Sequence, residues 1–213
     1  MKIIKLFPKT IYINTIEEHS VSSINSILDL QRTLPSSQYY TEKHKDDPDK
    51  MNTTSVDKQI LKNFPHLTNL IMKEFNYFKN EVLKYTYNDF KITTSWLSKS
   101  VKGQSSHFHN HHNCMYSGVY YPKIDKNSGG ISFEDFSDKR FVLKAESDNE
   151  YNMNEITINP QVNTVIFFPS ELHHKVLLNH SSDTVRYCIA FNLIPIGALD
   201  RDWETILLCL LVD

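Results

Sequence analysis

The spacing of apolar residues changes period part-way along the chain. Between Pro65 and about Tyr85, the residues Leu67, Leu70, Ile71, Phe75, Phe78 and Val82 recur every three to four positions. That spacing winds one apolar stripe onto a helix, and Pro65 suits the first turn, where its missing N–H would be unpaired anyway. Upstream, Ile16, Val21, Ile24, Ile27, Leu28 and Leu30 keep a looser helical period that stops at Pro35. Nearer the start, residues 2–7 and 11–13 alternate enough for short strands broken at Pro8. Beyond residue 90 the pattern shortens to runs rich in β-branched and aromatic residues, parted by turn sequences such as Asn127-Ser128-Gly129-Gly130 and Asn179-His180-Ser181-Ser182-Asp183. The predicted strands are Lys91–Lys99, Met115–Tyr121, Gly130–Phe133, Ile156–Ile158, Thr164–Phe168, His174–Leu178 and Val185–Leu193.

Many short strands with such turns predict two facing antiparallel sheets, a sandwich or jelly roll, and not a parallel sheet. The strong amphipathic helix needs a sheet to cover. The reading is therefore one domain over 1–213, of α+β or mainly β class. A mainly helical N-terminal part spans 1–90, a β core 91–195 and a C-terminal tail 196–213. Period-two alternation on the last long strand puts Arg186, Cys188, Ala190 and Asn192 on one face and Tyr187, Ile189 and Phe191 on the other. The first face is small and polar, as a cavity lining would be; the second is bulky, as a core would be.

Composition narrows the partners. The formal net charge is −2 and the surface charges are mixed, which gives no electrostatic case for nucleic acid or an anionic membrane. The run from Glu42 to Lys50 alternates signs around Pro48 and reads as a solvated loop. No apolar run approaches the roughly 20 residues that span a bilayer. Cys114, Cys188 and Cys209 are odd in number and far apart, as reduced thiols in a cytoplasmic setting would be.

Six of the ten histidines fall at two places. His107-Phe108-His109-Asn110-His111-His112 runs into the strand-like Met115–Tyr121, and His173-His174 follows Val165-Ile166-Phe167-Phe168-Pro169. An His-x-His on an extended segment aims both rings the same way, and neutral imidazole is the commonest protein metal ligand. A third histidine from a distant strand closes a facial site with open positions. Alternation sends His107 to the same side as His109 and His111, and sends His112 and His173 away. Arg186, if buried, needs an anion: either an acid such as Asp183 or Glu171, or a carboxylate-bearing ligand. Cys114 reads as a buried packing residue.

These motifs, His109-Asn110-His111, Ser117-Gly118-Val119-Tyr120-Tyr121, Phe168-Pro169-Ser170, His174, Val176 and Arg186 through Phe191-Asn192, resemble the non-haem Fe(II), 2-oxoglutarate-dependent oxygenases. The match is to an oxygenase family common in phages and marine bacteria, over about residues 96 to 193. Trp96 and Gly103 also fit. The resemblance implies a double-stranded β-helix (a cupin-like jelly roll) with the N-terminal helices packed on one sheet. It implies Fe(II) held by His109, His111 and His174, and 2-oxoglutarate clamped by Arg186, with Ser117, Tyr121 and Asn192 as further cosubstrate contacts. It implies a dioxygenase that consumes O2, releases succinate and CO2, and oxidises a substrate the sequence does not name. His111 stands where related oxygenases carry Asp or Glu. The third ligand is therefore open between His111 and a carboxylate such as Asp135 or Glu134. The setting would be cytoplasmic, a host cytoplasm for a phage-encoded chain; the oligomeric state, a homodimer included, is open.

Three other readings compete. A zinc hydrolase would need Asp where His111 stands. A cupin-like isomerase or thiol dioxygenase fits Gly103 and the His-x-His spacing but lacks the Glu expected soon after. A non-catalytic jelly roll would have little reason to keep three histidines and Arg186 together.

Overall fold

The computed structural model describes residues 2–3, 7–16, 50–55, 57–85, 88–135, 143–198 and 209–210. Its frame is a pair of long antiparallel strands, β3 (Asp89–Ser100) and β9 (Arg186–Ala198), with Ser100 opposite Arg186 and Asp89 opposite Ile196. One register irregularity between Ile92 and Thr94 interrupts the ladder. Around this pair the larger sheet runs β1-β7-β4-β9-β3-β2, built from β1 (Tyr12–Thr15), β2 (Thr53–Thr54), β4 (Tyr116–Lys123) and β7 (Thr164–Pro169). A short β10 (Cys209–Leu210) also pairs with β9. A second sheet, β6-β5-β8, is formed by β5 (Ile131–Glu134), β6 (Glu155–Ile158) and β8 (His173–Val176). Every registered strand pair is antiparallel. The predicted jelly roll is the fold observed, with strand ends shifted by a few residues.

Alternation along the strands divides the interior into two layers. Tyr116 and Tyr120 on β4, Val165 and Phe167 on β7, and Ile189, Phe191 and Leu193 on β9 point to the helical side. Their neighbours Val119, Tyr121, Ile166, Phe168 and Cys188 point between the sheets, where Ile131 and Phe133 of β5 meet them. Gly118 is required on the helical side of β4: a Cβ there would run into the ring of Phe191 and press on Phe167.

The helical side is covered by α1 (Pro65–Tyr77), which buries Leu67, Leu70, Ile71 and Phe75. Phe75 is its anchor, with ring centroids 5.1 Å from Phe90, 5.7 Å from Tyr116 and 5.3 Å from Phe167. The predicted helix was longer. After Tyr77 the chain widens into a π-type turn over Phe78–Val82, and Lys84 takes a positive φ of 60°. The apolar stripe accordingly ends at buried Phe78, whereas Val82 is 51% exposed. Beyond Ile16 the helical period expected as far as Leu34, the Glu42–Lys50 loop up to residue 49, residues 4–6 of the first expected strand and most of the C-terminal tail lie outside the described residues.

Candidate metal centre

The cluster begins with a reciprocal backbone pair. His109 N–H donates to the His174 carbonyl at 2.9 Å, and His174 N–H donates to the His109 carbonyl at 2.8 Å. This antiparallel bridge sets the two imidazoles beside each other, centroids 4.4 Å apart. Two residues on, His111 N–H donates to Ser170 O at 2.9 Å, which brings the third ring to 5.1 Å from His174 and 5.4 Å from His109. One ligand atom from each of the three lies within 4.8 Å of the others. The His-x-His segment is not part of a strand, as its spacing suggested; Asn113 (φ 59°) turns the chain into β4 behind it.

The partners of the three Nδ1 atoms decide the tautomers. His109 Nδ1 lies 2.9 Å from His107 O, and His174 Nδ1 lies 2.9 Å from Leu172 O. Carbonyls only accept, so each Nδ1 carries the proton and each Nε2 keeps its lone pair. His111 Nδ1 is 2.7 Å from Asn192 Oδ1 and 2.8 Å from Ser117 Oγ. Asn192 is itself oriented, its Nδ2 donating to Thr94 Oγ1 at 3.0 Å, so the oxygen must face His111. Ser117 donates to the same Oδ1 at 2.9 Å and meets Ser170 Oγ at 2.8 Å. All three imidazoles are thus held as neutral Nδ1–H tautomers with Nε2 free, the form that binds metal.

Burial reinforces neutrality. Desolvation, then the neighbouring His109, lowers the pKa of His174 to about 3 and of His111 to about 4. Desolvation lowers His109 as well. Three basic nitrogens therefore converge unprotonated near neutral pH. Neither Glu134 nor Asp135 joins the cluster; both line a separate groove with Phe7, Lys9 and Met153.

The triad opens into a cavity that His109, His111 and His174 share with Trp96, Ser98, Phe168, Tyr121, Cys188 and Asn52. Arg186, 1% exposed, is not itself in the lining but stands behind the lining residue Asn52. Its Nη1 donates to Ser128 O at 2.6 Å, Gly129 O at 3.1 Å and Leu177 O at 3.4 Å, and its Nη2 reaches Asn52 Oδ1 at 3.5 Å. Gly129 (φ 73°) makes the turn that brings two of these carbonyls together. Among the described residues no carboxylate pairs with Arg186. Glu171 bridges Lys9 instead, at 3.7 Å. Burial lowers the guanidinium pKa and raises those of its neighbours Tyr121 and Cys188. Among the described residues, Arg186 is a buried charge without a counter-ion.

Of the residues singled out from sequence, His109, His111, His174 and Arg186 share this one cavity or its wall. Tyr121 lies inside it near Arg186, whereas Ser117 and Asn192 bond to the His111 ring. His107 is exposed, against the inward placement expected, and its carbonyl lies 2.9 Å from His109 Nδ1. His112 is exposed, and His173 faces the outer groove. Cys114 is half-exposed and not a packing residue. Tyr120 points to the helical side and donates to Asn163 Oδ1 at 2.8 Å. Sequence reasoning missed Asn52, Thr94 and the hydroxyl of Ser170, because polar residues far apart in the chain carry no periodic signal.

Residues 94–192 match a family model described as "Putative 2OG-Fe(II) oxygenase". Over these residues, a little under half of the chain, it is similar to the 2OG-Fe(II) oxygenases. The match spans the triad, Ser117, Tyr121, Arg186 and Asn192, so the iron and 2-oxoglutarate of those oxygenases are the candidate cofactor and cosubstrate for this cavity. No curated protein matches in sequence. Solved structures share the fold at low identity. An oxidoreductase of the 2OG-Fe(II) oxygenase family from Burkholderia pseudomallei is 14% identical, covering 82% of this chain and 78% of its own, with a TM-score of 0.53. HygX from Streptomyces hygroscopicus, with nickel, 2-oxoglutarate and hygromycin B bound, is 11% identical over 88% and 83%, at 0.56. A Trichoplax adhaerens prolyl hydroxylase in complex with a hypoxia-inducible-factor peptide is 13% identical over 86% and 83%, at 0.59.

Proposed function

We propose that His109, His111 and His174 hold the oxygenase's Fe(II) through Nε2, and that Arg186 holds the distal carboxylate of 2-oxoglutarate. The residues fit the metal on their own chemistry: three neutral imidazoles, tautomers fixed by Nδ1–H donation, ligand atoms within 4.8 Å of one another. When bound, iron supplies O2 activation coupled to decarboxylation of 2-oxoglutarate to succinate and CO2, with oxidation of a second substrate. The observation that carries the cosubstrate assignment is charge. The triad adds no negative charge to balance a divalent ion, and Arg186 adds a positive one, so the cavity suits a dianion with a carboxylate at each end. Tyr121, kept protonated by burial, can donate to that ligand beside Arg186. Ser117 and Asn192 act on His111 and not on the cosubstrate.

The prime substrate lies beyond this reading. HygX holds hygromycin B and the prolyl hydroxylase a peptide, so the shared fold does not choose between small molecule and protein. Free Cys114 and Cys188 support a reducing, cytoplasmic setting. No helix among the described residues is long and apolar enough to cross a bilayer.

The test separates metal from cosubstrate. Arg186→Leu is expected to weaken 2-oxoglutarate binding by at least ~2 kcal/mol, the loss of a charge-assisted pair in a buried site, while iron still binds. His174→Ala is expected to abolish stoichiometric iron binding. Equal 2-oxoglutarate affinity in wild type and Arg186→Leu contradicts the assignment.

A further inference from the structure

Asn52 precedes β2, outside the residues the family model covers. Its backbone is pinned beneath the jelly roll. Asn52 N–H donates to Ser105 O at 3.1 Å, and Met51 forms a parallel bridge with Ser105. The side chain is 7% exposed and lines the cavity that holds the triad. Its Oδ1 faces Arg186 at 3.5 Å, the longest of that guanidinium's contacts. A guanidinium only donates, so the oxygen must be the atom turned toward Arg186. The amide Nδ2 is then directed elsewhere, and among the described residues it has no hydrogen-bond acceptor. A buried N–H left without a partner is rare and points to a ligand.

The residue type matters as much as the position. An acid here would neutralise Arg186 internally and leave it nothing to offer a carboxylate. An apolar residue would fill the space and add no donor. An amide leaves the positive charge uncompensated and supplies one further N–H.

We propose that Asn52 is a cosubstrate-binding residue, its Nδ2 donating to the distal carboxylate that Arg186 also holds. This rests on the Arg186 reading above. The weak Oδ1 contact to Arg186 stands where the carboxylate oxygen binds, and the ligand displaces it. Asn52 thereby sets the preference for a 2-oxo acid with a second carboxylate, using a residue supplied by the N-terminal half of the chain.

The experiment is calorimetric titration of the full chain, loaded with Mn(II) in the absence of oxygen, with 2-oxoglutarate. Asn52→Ala is expected to bind about tenfold more weakly, as for a lost hydrogen bond to a charged group. Asn52→Asp is expected to lose more, roughly 30-fold or beyond, because it adds a like charge and pairs with Arg186. Its metal-free form should also melt at a higher temperature than wild type, since Arg186 gains a counter-ion. Mn(II) affinity should be unchanged in both variants. Wild-type affinity for 2-oxoglutarate in Asn52→Ala and Asn52→Asp would overturn the proposal and leave the Arg186 assignment standing. Parallel loss of Mn(II) and 2-oxoglutarate would overturn it in favour of a structural role. No binding of 2-oxoglutarate by the wild type would overturn the underlying reading itself.

Discussion

Among the three imidazoles, His111 is held by side chains where its partners are held by main chain. His109 and His174 donate to carbonyls of their own segments, whereas His111 depends on Asn192 and Ser117, 81 and 6 residues away. Position and tautomer at His111 are therefore set by a relay from Thr94 through Asn192, and that relay can be cut without touching a ligand. Asn192→Leu is expected to reduce metal affinity roughly 10- to 100-fold, the usual cost of removing such an orienting partner. Asn192→Asp keeps the acceptor and should retain most of the binding; metal titration of both variants with unchanged secondary structure decides it. The His-x-His pair, His174 and Arg186 were legible in the sequence because their spacing and strand alternation are local signals. Asn52 and the roles of Ser117 and Asn192 were not, since a hydrogen bond between residues so far apart leaves no pattern in either segment.

At the scale of elements, β4 joins the two halves of the account. One face carries Tyr116, Gly118 and Tyr120 toward α1, and the other carries Ser117, Val119 and Tyr121 toward the cavity. Gly118 lets Phe191 and Phe167 close over the strand, so the helical core and the site share one backbone. Gly118→Ala is expected to destabilise the fold by about 1–3 kcal/mol through overpacking, readable in denaturant unfolding, with 2-oxoglutarate affinity less affected than in Arg186→Leu. Wild-type stability in that variant would contradict the packing described for β4. Alternation made the strand faces readable in advance, and β9 in particular divides as its pattern predicts. The end of α1 was not readable that way. The apolar spacing continues to Val82, but the π-type turn after Tyr77 rotates that residue out to solvent.

Over the whole molecule, the jelly roll sets a neutral metal-binding triad and a buried guanidinium about one cavity, with no carboxylate among the described residues that line it. A bound metal ion would therefore make both ends positive. The metal end is built from neutral nitrogens fixed by Nδ1 donation, and the far end from a guanidinium whose contacts are carbonyls and the Asn52 amide. Each end should therefore strengthen the binding of a dianion at the other, and by linkage the dianion should strengthen the binding of metal. The most direct measurement is Mn(II) affinity without oxygen, with and without saturating 2-oxoglutarate, in wild type and Arg186→Leu. The expected result is one metal per chain, bound about tenfold or more tightly when 2-oxoglutarate is present, with most of that gain lost in Arg186→Leu. Metal affinity indifferent to 2-oxoglutarate in the wild type would contradict the account.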